Sequence, residues 1–161
     1  MSFGIYLYRY DSTGLAEADR DAVRAALSRW GWDGSDGSPY QIGTEDGITA
    51  EFYATGLDDR STAFEGGNLE VHGFSIELCR LILDLAGAGR FTLSHDGDAG
   101  AVILVGEEQR AVLPADMQDD PKLMVCRTPE ELEAAIEGGF DKWRVVRDRA
   151  CGRSPDSGPA S

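Results

Sequence analysis

The sequence predicts a single α+β domain over residues 1–150, in which a mixed, mostly antiparallel sheet packs against about three helices. A length of 161 residues suits one domain, and 42% of the residues are apolar, which is enough to fill its core. Segments with strand and helix periodicity follow one another in an order typical of α+β folds. Residues 151–161 consist mainly of small residues, polar residues and proline, which predicts a disordered tail.

The first part of the chain predicts a strand, a helix and a loop. Residues 3–8 alternate between apolar residues and glycine or tyrosine, which is typical of a half-buried strand. A polar turn at residues 11–14 leads into residues 15–30, where apolar side chains recur at helical spacing and predict a helix. Residues 31–47 contain five glycines, one proline and four acidic residues, without a basic residue, and predict an acidic loop.

Further strands are predicted where apolar residues alternate or form short runs between polar turns. Gly66-Gly67 interrupts one of these segments, because glycine weakens a strand. The run Val102 to Val105 is continuous enough for a central strand. The predicted strands cover residues 48–57, 64–71, 91–95, 101–105, 109–113 and 123–126.

Two further helices have recognisable start signals. Ser75 can cap a helix that is apolar on nearly every side, so we expect this helix to be buried and to end at Gly87 and Gly89. Thr128-Pro129-Glu130-Glu131 has the pattern of a capping box with proline at the first helical position, which predicts the start of the last helix. Gly138-Gly139 could bend or interrupt that helix.

The charge of the chain excludes some classes of partner. With 15 Lys and Arg against 29 Asp and Glu, the net charge is −14; residues 1–140 carry −16 and residues 141–161 carry +2. Such a surface repels phosphate backbones and anionic membranes, so we expect neither a nucleic-acid nor a membrane partner. The three cysteines are too few and too far apart for a disulfide framework or a zinc knuckle, and the N-terminus lacks a signal-peptide pattern. A cytoplasmic location is the simplest expectation.

No set of residues predicts a catalytic, cofactor or metal site. His72 and His95 have no Ser or Cys nucleophile at a motif spacing, and Cys79 lies on the apolar helix, where a buried, inert thiol is expected. The segment that starts at Asp96 resembles a calcium loop only in part, because Ala101 stands where the loop needs glycine. The glycines after residue 86 end a helix instead of opening one, unlike a dinucleotide-binding loop.

The acidic loops are the strongest candidate for a binding surface. Acidic residues concentrate in residues 31–47, 57–65 and 107–121, and two aromatic residues lie within the first of these loops. Aromatic residues inside a charged rim are common at the centre of protein interfaces. The candidate partner-binding residues are Trp32, Asp33, Asp36, Tyr40, Glu45, Asp46, Asp58, Asp59, Glu65, Asp116, Asp119 and Asp120.

Two helix openings carry a resemblance to a known class of proteins. Residues 74–78 (FSIEL) open the buried helix and residues 126–132 (CRTPEEL) open the last one, and this arrangement resembles the small acidic immunity proteins of bacterial toxin systems. The resemblance implies a cytoplasmic, non-enzymatic protein that binds and blocks a cognate toxin. Complementary charge independently favours a basic partner. Two alternatives stay open: a ligand-binding or enzymatic domain with a pocket near His72 or His95, and an accessory subunit of a bacterial complex.

Overall fold

The computed structural model describes residues 2–152 as one α+β domain. The predicted fold class, a mixed and mostly antiparallel sheet with helices, is confirmed. The strands are Phe3–Tyr8 (β1), Tyr10–Asp11 (β2), Gly14–Leu15 (β3), Tyr40–Gly43 (β4), Thr49–Ala54 (β5), Gly66–Val71 (β6), Thr92–His95 (β7), Asp98–Leu104 (β8) and Leu123–Val125 (β9). The α-helices are Arg20–Arg29 (α1), Ile76–Gly89 (α2), Ala115–Gln118 (α3) and Pro129–Ala150 (α4), and a 3₁₀ helix spans Glu107–Val112.

Seven strands form the main sheet, in the order β4-β5-β6-β1-β7-β8-β9. Every neighbouring pair is antiparallel except β8 and β9, which run parallel. Strands β2 and β3 form a separate two-stranded hairpin after β1. Strand β1 therefore lies at the centre of the sheet, although it comes first in the chain.

Helices α1, α2 and α4 pack on one side of the sheet. The alternating residues Phe3, Ile5 and Leu7 of β1 are fully buried against them, and Phe3 meets Phe140 of α4 edge to face with 5.5 Å between ring centroids. Helix α2 lies between α1 and α4, which explains why it is apolar on nearly every side, as predicted. The other side of the sheet carries the half-exposed Tyr6 and Tyr8 and is left largely uncovered.

Several predicted boundaries are wrong for identifiable reasons. Helix α1 begins at Arg20 and not near residue 15, because Leu15 pairs with Tyr10 and the Asp19 side chain caps the helix by accepting from the Ala22 N–H. The predicted strand 109–113 lies mostly in the 3₁₀ helix. Strand β4 occupies part of the predicted loop 31–47.

The glycine pairs also differ from expectation. Gly66 and Gly67 are the first two residues of β6, so the strand begins at the pair, two residues later than predicted, and α4 continues through Gly138-Gly139. Helix α2 runs through Gly87 to Gly89 and is capped by Arg90, which adopts the left-handed conformation with φ of 52°. Both predicted caps, at Ser75 and Thr128, are confirmed. The predicted tail lies outside the described residues from position 153 onward.

Candidate functional site

Asp58 joins the first two predicted acidic loops. One oxygen of its carboxylate accepts hydrogen bonds from the Gly37 N–H at 2.8 Å and from the Tyr40 hydroxyl at 2.5 Å, and the other pairs with Arg24. Burial acts to raise the pKa of Asp58, but these donors outweigh it and the pKa is lowered. Asp58 therefore holds the loops together and has little capacity left for a partner.

The two aromatic residues of the first loop belong to the core. Trp32 is 8% exposed and Tyr40 is 2% exposed, and their rings meet edge to face at 5.6 Å. Arg24 covers the Trp32 ring at 4.8 Å from its centroid. The expectation that Trp32 and Tyr40 form the exposed centre of an interface is therefore wrong. Tyr40 donates a hydrogen bond to Asp58, Arg24 lies over Trp32, and the two rings pack against each other, so both face the core.

The predicted acidic residues do not form one surface. Antiparallel strands send successive loops to opposite ends of the sheet, so Glu45 and Asp46, in the turn between β4 and β5, lie at the end opposite to residues 37–39 and 55–65. Asp33 and Asp59 are partly committed to their own turns, where they accept from the N–H groups of Ser35 and Ser61 at 2.9 Å. The acids at positions 116, 119 and 120 lie in and after α3, just before β9.

Strand pairing creates a different surface, which we call the open face. It is the side of the sheet opposite to the helices, and it presents alternate residues of β4, β5, β6, β1 and β7 in register. One row runs across four strands as Tyr53, Asn68, Tyr6 and Ser94, and the next places Glu51 directly opposite Glu70. The side chains of the open face are those of Gln41, Glu51, Tyr53, Asn68, Glu70, Tyr6, Tyr8 and Ser94.

Three tyrosines of the open face are held by hydrogen bonds. The hydroxyl of Tyr6 donates to Asp96 at 2.6 Å, that of Tyr8 to the Asn68 side chain at 3.0 Å, and that of Tyr53 to Glu51 at 2.8 Å. The bond to Asp96 is the main reason why the pKa of Tyr6 is raised to about 12. These hydroxyls therefore remain neutral donors at physiological pH, and the bonds restrict the rings.

The charge on this surface has a single sign. Glu51 and Glu70 face one another across β5 and β6, and the Asp96 carboxylate also accepts from the Gly4 N–H at 2.7 Å, at the same end of β1. Like charges directly opposite on neighbouring strands destabilise a sheet. None of the open-face side chains named above is Lys or Arg. The surface therefore combines tyrosine rings with carboxylates that accept hydrogen bonds from neutral donors; those from Tyr53 and Gln41 hold the pKa of Glu51 below its usual value.

A cavity of about 540 Å³ lies at one end of the open face. Tyr8 and Tyr53 line it, Gly66 and Gly67 form part of its wall, and Glu65 lies at its border. Tyr8 also lines a second cavity of about 270 Å³, which reaches Met117 and Asp120 and brings the third acidic loop close to the face. A further cavity of about 530 Å³ lies beside the β2–β3 hairpin.

Neither histidine lines these three cavities. His95 is 3% exposed, and its ring packs beside Phe3 with 5.9 Å between centroids. Burial lowers the pKa of His95, although Asp98 and Asp96 oppose this effect. His72 is exposed after the end of β6. Burial raises the pKa of the Cys79 thiol to about 12, in agreement with the expected inert thiol.

The sequence does not predict the open face, because the face forms only when strands that are far apart in the chain pair with one another. The one local signal was the placement of Tyr6 and Tyr8 at the non-core positions of the first strand, where short polar residues are the usual choice for a solvated face. Within residues 2–152, no helix is long and apolar enough to cross a membrane, and no three His, Cys, Asp or Glu side chains are placed to hold a metal ion. No protein-family model, curated protein or solved structure matches this chain.

Proposed function

We propose that this chain is a non-enzymatic binding protein of immunity type, which binds a basic protein toxin and blocks it. The observation that carries the proposal is the open face, where Tyr53 is exposed and Glu51, Glu70, Tyr6 and Tyr8 are partly exposed, with no Lys or Arg in their rows. A partner that supplies the cations would remove the repulsion between Glu51 and Glu70. Glu65 and Asp120, from the second and third acidic loops, line cavities at this face and extend the same sign of charge.

The composition of the open face suits protein recognition. Tyrosine offers a large contact area at a small cost in conformational entropy, and the hydrogen bonds of Tyr6 and Tyr53 reduce that cost further. Tyr53 is 41% exposed in the free protein, so part of its ring area remains to be buried. The net charge of −14 attracts a basic partner over a distance and speeds association.

The test is a comparison of affinity captures from the native host. The wild-type chain should recover a basic protein in stoichiometric amount, and the double variant Glu51→Gln/Glu70→Gln should recover roughly tenfold less, because charge complementarity is lost. The matched control is Glu130→Gln/Glu137→Gln, which removes the same charge from exposed positions on α4, on the other side of the sheet, and should capture like the wild type.

The inhibitory role requires a second measurement on the captured protein. Its expression alone should arrest growth, and co-expression of the wild-type chain should restore growth while the Glu51→Gln/Glu70→Gln variant restores it less. The proposal is wrong if no stoichiometric basic protein is captured. It is also wrong if the captured protein is harmless, or if both double variants behave alike.

A further inference from the structure

We infer that the cavity between Tyr8 and Tyr53 is a pocket for an arginine side chain of the partner. The inference rests on the proposed function, since it specifies how a basic protein would be recognised. It assigns a role to Gly66-Gly67, the pair of glycines at the start of β6. The cavity volume of about 540 Å³ falls within the usual size of binding pockets, about 300–1,000 Å³.

Gly66 lies on the same side of β6 as Asn68 and Glu70 and leaves the open face without a side chain at this point, while Gly67 lies on the core side, next to the Phe52 ring. Gly66 has φ of +141°, which side-chain-bearing residues rarely adopt, and a Cβ atom there would overlap the carbonyl oxygen of Leu7. A Cβ atom on Gly67 would overlap the carbonyl oxygen of Tyr53. Neither position can carry a side chain without a shift of the neighbouring strands. The pairing of Tyr8 with Gly66 therefore leaves space beside the tyrosine ring.

The chemistry of the wall suits a cation. Tyr8 and Tyr53 present aromatic rings, which attract cations through their quadrupoles. Glu65 is partly buried at the border of the cavity, and its carboxylate makes no hydrogen bond or ion pair to any residue in the described range 2–152. Burial, Tyr10 and the negative charge of Glu65 raise the pKa of Tyr8, which places the Glu65 charge close to this ring. An apolar group that covered Glu65 would leave its carboxylate buried without a partner, whereas a cation would form an ion pair with it.

Arginine fits this wall better than lysine. Its guanidinium is planar, stacks on aromatic rings and has five N–H donors, while the lysine ammonium is a compact and strongly hydrated charge. The cavity offers several acceptors for those donors. Besides Glu65, the hydroxyl-bearing residues Ser38 and Thr55 line it.

The test measures binding of the full chain to two peptides by isothermal titration calorimetry. Both have nine residues, with three arginines or three lysines separated by Gly-Ser spacers. The arginine peptide should bind about fivefold tighter, since only the guanidinium stacks and forms several hydrogen bonds. Glu65→Gln should weaken its binding about tenfold, by loss of a charge-assisted pair. The control Glu137→Gln, at an exposed acid on α4, should change binding by less than about twofold.

Three outcomes overturn the pocket: no binding of the arginine peptide, equal binding of both peptides, or equal losses in Glu65→Gln and Glu137→Gln. The variant Tyr53→Leu is an independent test, because it removes an aromatic ring from the lining of the cavity without changing the charge. It should reduce the ratio of affinities for the arginine and lysine peptides. If the captured partner binds Glu65→Gln as tightly as the wild type, the pocket is wrong while the proposed function stands. If the peptides are discriminated but no partner is captured, the proposed function fails and the pocket stands.

Discussion

Gly139 lies where helix α4 meets the turn between β7 and β8. A Cβ atom on Gly139 would lie 2.9 Å from the Cα atom of Gly97 and 2.9 Å from Cε1 of His95. Nothing lies within 4 Å of the same atom on Gly138. Of the two adjacent glycines that suggested a bend, one permits close packing of a helix on a turn and the other faces open space.

This difference predicts opposite effects of the same substitution at neighbouring positions. Gly139→Ala should lower the free energy of unfolding by about 1–3 kcal/mol, because the methyl group overpacks the contact with Gly97. Gly138→Ala should leave stability unchanged or raise it by up to about 1 kcal/mol, since alanine is the better helix former. Urea denaturation of both variants tests this, and equal losses at the two positions would contradict the close contact.

His95 predicts a pH dependence of stability. Because burial lowers its pKa, the folded protein keeps the imidazole neutral at pH values where the unfolded chain, with an ordinary pKa of about 6.5, binds a proton. The unfolded state then binds more protons, so stability should fall as the pH drops from about 7 to about 5. Carboxyl groups titrate mainly below this window.

The measurement is the free energy of unfolding at pH 7 and pH 5. In His95→Gln, the free energy of unfolding should differ less between pH 7 and pH 5 than it does in the wild type, whatever the absolute stability of the variant. His72→Gln, at the exposed histidine, should keep the wild-type difference. If His95→Gln retains the full difference, the burial of His95 is not its cause.

Helices with local signals could be predicted, whereas an element held by a distant contact could not. The Ser75 hydroxyl accepts from the Leu78 N–H at 3.1 Å, and Thr128 accepts from the Glu131 N–H at 3.2 Å, so both starts depend on residues three positions apart. The 3₁₀ helix depends instead on Gln109. Its side-chain oxygen accepts from the Val105 N–H at 2.7 Å, and its amide donates to the Phe91 carbonyl at 3.1 Å.

Residues 109–113 end in a short apolar run, which predicts a strand because it carries no sign of the contact between Gln109 and Phe91. Gln109→Ala should lower the free energy of unfolding by about 2–4 kcal/mol, since it leaves buried backbone groups without partners. Gln41→Ala, at an exposed glutamine, should cost less than about 0.5 kcal/mol. Thermal and urea denaturation compare the two, and a small loss at Gln109 would show that its hydrogen bonds are replaceable.

The whole molecule has two unlike sides, and the sequence predicts only one of them. The fold class and the core-facing residues of β1 follow from composition and period, which are properties of short segments. The open face brings Glu51 opposite Glu70 and Tyr6 beside Asn68, residues far apart in the chain. Their pairing depends on strand order, and the early strand β1 takes the central place. The predicted acidic loops have the same charge sign, but they lie at both ends of the sheet and beside β9.

The repulsion across β5 and β6 predicts that stability and binding change in opposite directions. Glu70→Gln should raise the free energy of unfolding by about 0.2–1 kcal/mol, because it removes one of two like charges directly opposite each other. Its amide oxygen can still accept from the Ser2 hydroxyl. The same variant should bind the basic partner more weakly. Denaturation together with calorimetry measures both effects, and a destabilised Glu70→Gln would show that the pair is not under strain.

The strict alternation along β6 separates two tasks within one strand. Leu69 and Val71 point into the core, while Asn68 and Glu70 between them point to solvent. Substitutions at the outward positions therefore change the chemistry of the open face without altering the packing that folds the chain. A backbone of this kind can be diversified at a small set of outward positions while its interior stays the same.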